Sequence, residues 1–288
     1  MSPSTIPVLK VIRPGIFSAL QDIGRFGYRH LGVPCSGASD RQSFIYVNAT
    51  LHNPTNAPIL EIFGQNAEFE VLNPVRIFIA GAFAIVTLDD LPVEFFGPLH
   101  VKSGQKLKIE KLINGAVVYV GIEGGFSAVP VMGSVSTISG SHLKPVSKND
   151  ILYSSSQTNI SSVNHGILKP IKINTNSHIT ITPGPEFEVL DNISQQRIFT
   201  SIFNITKDSN RMGYRLLGEM LTRNTTNDML TSAVAPGVIQ LLPDGQLIIL
   251  MRDCQTTGGY PRILIVDESD INQLAQRNPG KNITFKLK

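Results

Sequence analysis

The chain has 288 residues, of which 42% are hydrophobic and 16% charged, and its net charge is +3 at neutral pH. That length suits one large domain or two ordinary ones, and the apolar content supplies substantial cores, which excludes intrinsic disorder. The positive charge is scattered, with no run of five or six Lys or Arg, so nothing points to nucleic acid as a partner.

Residues 8–12 are apolar and β-branched and stop at Pro14-Gly15, which reads as a strand entering a turn. Gln21-Asp22-Ile23-Gly24-Arg25-Phe26-Gly27-Tyr28-Arg29-His30-Leu31-Gly32 follows and is too rich in glycine for a helix. Asp40 stands where a helix cap belongs. Phe44, Ile45, Val47 and Leu51 then recur near helical spacing, predicting a helix over 41–51 that Asn53-Pro54 ends. Short strands are expected over 59–63, 67–72, 75–80, 84–88, 93–96, 105–109 and 116–122, most of them separated by Gly, Pro or Asn. Glu123-Gly124-Gly125-Phe126 and Val131-Met132-Gly133-Ser134 form a second glycine-rich loop region.

The polar stretch 154–165 has no periodicity and reads as a linker. Beyond it the same grammar restarts. Strands over 171–173 and 179–181 lead to Pro183-Gly184, then a helix over 187–199, then Asn210-Arg211-Met212-Gly213-Tyr214-Arg215-Leu216-Leu217-Gly218. Strands over 238–241, 247–251 and 263–266, a short helix over 270–276 and a strand over 283–287 complete the chain. Closely spaced short strands favour a barrel or sandwich over βαβ units. The predicted fold is mainly β: two related β-barrel-like units with a few short helices. The expected boundaries are 1–155 for the first unit, 156–170 for the linker and 171–288 for the second unit.

Aligned without gaps, 24–32 and 210–218 share six of nine residues, the Arg-x-Gly-Tyr-Arg core among them. Tertiary packing alone does not require that repeat, so a duplication is implied. Two readings stand. Arg25, Arg29, Arg211 and Arg215, with Tyr28, Tyr214 and glycine-freed backbone amides, would bind an anion or carboxylate, or else brace tight turns through local carbonyls. A second constellation, Arg252-Asp253-Cys254-Gln255-Thr256-Thr257-Gly258-Gly259-Tyr260-Pro261, crowds polar groups at the end of an apolar strand. It reads as a ligand loop or as a polar hairpin.

Cys254 has no histidine near it in sequence and makes a poor nucleophile. Cys35 and Cys254 together suit neither a disulfide framework nor a metal site, a count that fits a reducing compartment. The histidines are dispersed, so no metal is expected, and neither a P-loop nor a Gly-x-Ser-x-Gly elbow occurs. The N-terminus has no leader pattern and no stretch approaches a membrane span, so the expected location is cytoplasmic, with no membrane partner.

Longer motifs carry a resemblance. They include Leu20-Gln21-Asp22, Gly24-Arg25-Phe26-Gly27-Tyr28, Gly32-Val33-Pro34, Ser36-Gly37-Ala38, Asp40, Asn48, Asn53, Leu60-Glu61 and Gly81-Ala82. In the second half they include 210–216, Gly237-Val238-Ile239-Gln240, Pro243-Asp244-Gly245 and 253–261. Over nearly its whole length the chain resembles the biotin-dependent carboxyltransferase or allophanate hydrolase subunit 2 family, which includes the C subunit of bacterial 5-oxoprolinase (PxpC) and KipA.

The resemblance implies a cyclophilin-like β-barrel architecture and work beside a PxpB- or KipI-like subunit and a PxpA-like subunit. Such a complex opens 5-oxoproline to L-glutamate with ATP as cofactor. The chain has no Met-Lys biotin-attachment pair, so no covalent biotin is expected on it. The implied catalytic residues are Arg211, Arg215, Asp253 and Gln255. The implied substrate-binding residues are Gln21, Asp22, Arg25, Tyr28, Arg29, Asp40, Tyr214, Gln240, Thr256, Thr257, Gly258, Gly259 and Tyr260. Alternatives are a KipA-type protein binding a KipI-like kinase inhibitor, or a biotin-dependent carboxyltransferase subunit acting on a urea-like amide. Three places depart from the family pattern: Gly133-Ser134-Val135-Ser136-Thr137 replaces Gly-Ser-Arg-Ser-Thr, the segment at Gly140-Ser141-His142-Leu143-Lys144 is shortened, and Ala233 stands where an acidic residue is usual.

Overall fold

A computed structural model describes residues 5–93, 97–138, 140–154, 173, 178–224 and 229–288. The linker expected over 156–170 and most of the strands expected over 93–96 and 171–173 lie outside them. The chain forms two compact units: Met1–Arg25 with Asp40–Ile173, and Phe26–Ser39 with Asn174–Lys288. The fold is mainly β with three short α-helices among the described residues, as expected.

The first unit holds β1 (Ile6–Pro14), β2 (Phe17–Gln21), β3 (Ile59–Phe63), β4 (Ala67–Val71) and β5 (Val75–Leu88). It continues with β6 (Leu91–Pro92), β7 (Leu99–Val101), β8 (Lys106–Ile122), β9 (Phe126–Ser127) and β10 (Ile151–Ser154). These make one ten-stranded sheet in the order β2-β3-β8-β4-β1-β10-β9, with β5 running along β8. The sequence pattern predicts two strands in place of β5 and two in place of β8. Each is continuous instead, because the β5–β8 register shifts after Gly81 and bends the ladder without breaking it. Gly81 has φ 95°, and a Cβ there would lie 2.5 Å from the Val117 carbonyl oxygen.

Leu60, Ile62, Phe69, Ile77, Ile79, Val118 and Val120 fill the core of this unit. Helix α1 (Arg41–Thr50) buries Phe44 and Val47 and is capped by Asp40, whose carboxylate accepts the Ser43 amide at 3.1 Å.

The second unit holds β11 (His178–Pro183), β12 (Phe203–Ile205), β13 (Gly213–Leu217), β14 (Ser232–Ala233) and β15 (Val238–Leu241). β16 (Leu247–Leu250), β17 (Thr257–Gly258), β18 (Arg262–Val266) and β19 (Asn282–Leu287) complete it. Seven strands close a barrel in the order β11-β18-β15-β16-β13-β12-β19, and the parallel β11–β19 pair makes the closure. Ile181, Leu216, Ile239, Ile249, Ile263 and Phe285 fill its interior.

The helix expected over 187–199 is a 3₁₀ turn (Phe187–Val189) followed by α2 (Asn192–Thr200). Asp191 divides them by capping the second piece through the Ser194 amide at 2.7 Å. α3 (Glu268–Ala275) is capped by Asp267 and sends Ile271 and Leu274 into the barrel core.

Candidate functional site

The β13–β16 ladder continues past its strand ends. Met251 donates to the Met212 carbonyl at 3.0 Å and Asp253 to the Arg211 carbonyl at 2.9 Å, so residues 211 and 253 leave the barrel side by side. Asn210 turns the chain there by accepting the Met212 amide at 2.8 Å. Arg211 and Asp253 then pair as a bidentate fork, Nε to Oδ2 at 2.7 Å and Nη2 to Oδ1 at 2.9 Å. The same guanidinium donates to Ser39 Oγ at 2.5 Å and to the Gly37 carbonyl at 2.7 Å. Arg211 therefore ties Phe26–Ser39, a segment from far upstream, to the strand end that carries Asp253.

The 254–261 loop is fastened at three further points. Val234 donates to the Thr256 carbonyl at 3.0 Å, and β14 pairs with β17. Gln240, buried inside, donates from Nε2 to the Tyr260 carbonyl at 3.0 Å. The loop passes so close to that amide that a Cβ at Gly258 would sit 2.8 Å from Nε2. At the loop's end Arg262 grips Glu186 bidentately, at 2.8 and 2.6 Å, and donates to the Ala233 carbonyl at 2.9 Å. Hydrogen bonding from Arg262 holds the Glu186 carboxyl below its ordinary pKa.

Within Phe26–Ser39, a 3₁₀ turn (Arg29–Leu31) ends at Gly32 in the left-handed region, φ 77°. Arg29 donates to the Val234 carbonyl and faces Cys35 Sγ at 4.0 Å. Burial pushes the Cys254 thiol up to about 11, opposed by the neighbouring Arg29 charge.

Of the residues expected in a site, Tyr28, Arg29, Arg211, Arg215, Tyr214, Asp253, Gln255, Gln240 and Thr256 to Tyr260 fall in the second unit. Arg211 meets Asp253, and Gln240 meets Tyr260. Arg215, Gln255, Thr257, Gly259 and Tyr260 are exposed, whereas Tyr214 is packed into the barrel core.

Gln21, Asp22, Arg25 and Asp40 fall in the first unit, where all four are buried. Asp22 accepts from Gly24 N, Ser134 Oγ, Ser136 Oγ and Val135 N at 2.6 to 2.9 Å. Arg25 donates to the Val131 and Ser136 carbonyls, both at 2.9 Å. Gln21 donates to Thr137 Oγ1 at 3.2 Å, and Asp40 caps α1. The 133–137 loop is thus held by residues of the first motif, and Val135 takes part through its backbone.

Sequence reasoning misses Gly37 and Ser39 as partners of Arg211, and Glu186 as partner of Arg262. Glu186 lies 76 residues from Arg262, and no local pattern announces such a pairing.

Residues 31–287 match the carboxyltransferase domain, subdomain A and B. The chain is 38% identical to the 5-oxoprolinase C subunit of Escherichia coli, over 96% of this chain and 90% of that protein. It is 32% identical to the 5-oxoprolinase C subunit of Haemophilus influenzae, over 93% and 87% respectively. Its fold superposes on the crystal structure of the K. lactis urea amidolyase with a TM-score of 0.88, at 24% identity, covering 98% of this chain and 19% of that one. The paired Arg211 and Asp253, the braced 254–261 loop and the closed barrel beneath them thus occur in a chain that belongs to the carboxyltransferase domain family, subdomains A and B.

Proposed function

We propose that the chain is the C subunit of an ATP-dependent 5-oxoprolinase, opening 5-oxoproline to L-glutamate with PxpA- and PxpB-like partners in the cytoplasm. The observation that carries this reading is the 38% identity to the E. coli protein, which runs nearly end to end in both chains. The residues support it chemically. A cyclic amide resists hydrolysis because its carbonyl is stabilised by the ring nitrogen, so a site must supply donors where negative charge develops on oxygen.

In this reading Gln255 and Tyr260, exposed on the braced loop, and Arg215, exposed on β13, contact the substrate or its carboxylate. Arg211 acts as a positioning residue, because its fork already holds Asp253, Gly37 and Ser39. Asp253 is oriented by that fork for a part in proton handling. The four buried candidates of the first unit are structural: three hold the 133–137 loop in shape and Asp40 caps α1. ATP is consumed by the assembled complex. The test combines the purified chain with both partner proteins, ATP and 5-oxoproline and measures glutamate. Release that depends on this chain is expected, and none from associated proteins would overturn the reading.

A further inference from the structure

In the second unit Arg29 lies against one free thiol and grips a residue that clusters with the other. Arg29 donates from Nη1 towards Cys35 Sγ at 4.0 Å and from Nη2 to the Val234 carbonyl. Val234 belongs with Cys254, Val238 and Leu250 to a small buried apolar cluster, so the residue whose carbonyl Arg29 grips shares a cluster with the second thiol. Burial raises the Cys254 thiol most, the Arg29 charge opposes it and Cys35 adds to it. Cys35 is half-buried and reachable by a small reagent, whereas Cys254 is 1% exposed. Neither thiol has a part in the proposed ring opening.

We propose that Cys35 and Cys254 are a reversible oxidation site that closes to a disulfide when the protein meets a hydroperoxide. The Cys35 sulfur attacks one peroxide oxygen, the O–O bond breaks, and water or an alcohol leaves, giving a sulfenic acid. The Cys254 sulfur then attacks that sulfur and the S–O bond breaks. The departing hydroxide takes the Cys254 proton as a second water. Two thiols lose two electrons and two protons, and the peroxide accepts them. The order follows from access, and the raised Cys254 thiol, protonated at neutral pH, supports it. Cys35 stands two residues before Gly37, and Cys254 follows Asp253. The disulfide would therefore join covalently the two segments that Arg211 joins by hydrogen bonds.

The test treats the intact reduced chain with hydrogen peroxide and follows its mass and free thiols. The expected result is a mass lower by two hydrogen atoms, a thiol count falling from two to none, a tryptic peptide linking Cys35 to Cys254, and full reversal by dithiothreitol. The Cys254→Ser variant is expected to gain one oxygen on Cys35, trapped by dimedone. The Cys35→Ser variant should leave Cys254 unchanged at the same dose. Oxygen added to the wild-type chain without loss of two hydrogens, disulfides only between chains, or no modification of either thiol would each overturn the proposal. The wild-type peptide map stands alone if a serine variant fails to fold.

Discussion

Arg211 hydrogen-bonds Asp253, Ser39 and Gly37, and its two bonds to Asp253 form a fork that only a planar guanidinium can supply. Arg211 and Asp253 are both largely shielded, with side chains 9% and 19% exposed. Removing one partner leaves the other charge poorly solvated, so Arg211→Ala is expected to cost about 3 kcal/mol. That corresponds to a fall of roughly 6 to 12 °C in Tm, measurable by calorimetry. Arg211→Lys keeps the charge and loses the fork. It should hold more of the stability than the alanine variant while glutamate release by the complex still falls at least tenfold. Equal activity of the lysine variant and the wild type would show that orientation by the fork is dispensable.

Glu186 gives a pH-dependent counterpart. Its folded pKa lies below the ordinary 4.5, so the ion pair with Arg262 stabilises the protein fully above that value. The contribution is lost as the pH falls through the lower, folded pKa. The Tm difference between wild type and Glu186→Gln should therefore be largest near neutrality and shrink below about pH 4.5. A difference that persists undiminished into acid would assign the effect to packing.

At the scale of elements, the helix caps are the most legible signals, because a capping carboxylate acts on an amide only a few residues away. Asp40 announces α1, and Asp267 occupies the equivalent place before α3. Glycine misleads in β5 and β8. It reads as punctuation, but Gly81 supplies the one backbone conformation that lets a fourteen-residue strand bend. β13 escapes the sequence pattern because its residues read as a ligand-binding turn, although Tyr214 and Leu216 face the barrel core. The pattern there carries both messages at once.

Gly81→Ala is expected to destabilise the first unit by about 1–3 kcal/mol, since both φ and the Val117 carbonyl oppose a side chain. Urea unfolding should show a lower midpoint; an unchanged midpoint would mean that the strand relaxes freely at this bulge. In the barrel, Ile249→Ala removes a fully buried side chain and should cost about 2–5 kcal/mol by the same measurement.

At the scale of the whole molecule, the mainly β class is legible in the closely spaced short apolar runs. The membership of Phe26–Ser39 in the second unit is not. Its sequence is a glycine-rich loop following a first-unit strand, and the reason it belongs elsewhere lies in the distant Arg211 and Val234. Hydrogen exchange on the intact chain provides the check. Arg211→Ala should speed exchange across 29–39 and leave β3 and β8 at wild-type rates. Uniform acceleration in both units would show that Arg211 supports more than its own segment.

Ser39 and Arg211 are 172 residues apart. A ribosome adding 5–20 residues per second needs roughly ten to thirty seconds to travel between them. For that interval the segment carrying Arg29, Cys35 and Ser39 has emerged without the guanidinium that will hold it. The bond that fastens this stretch to the barrel can therefore form only in the last third of translation.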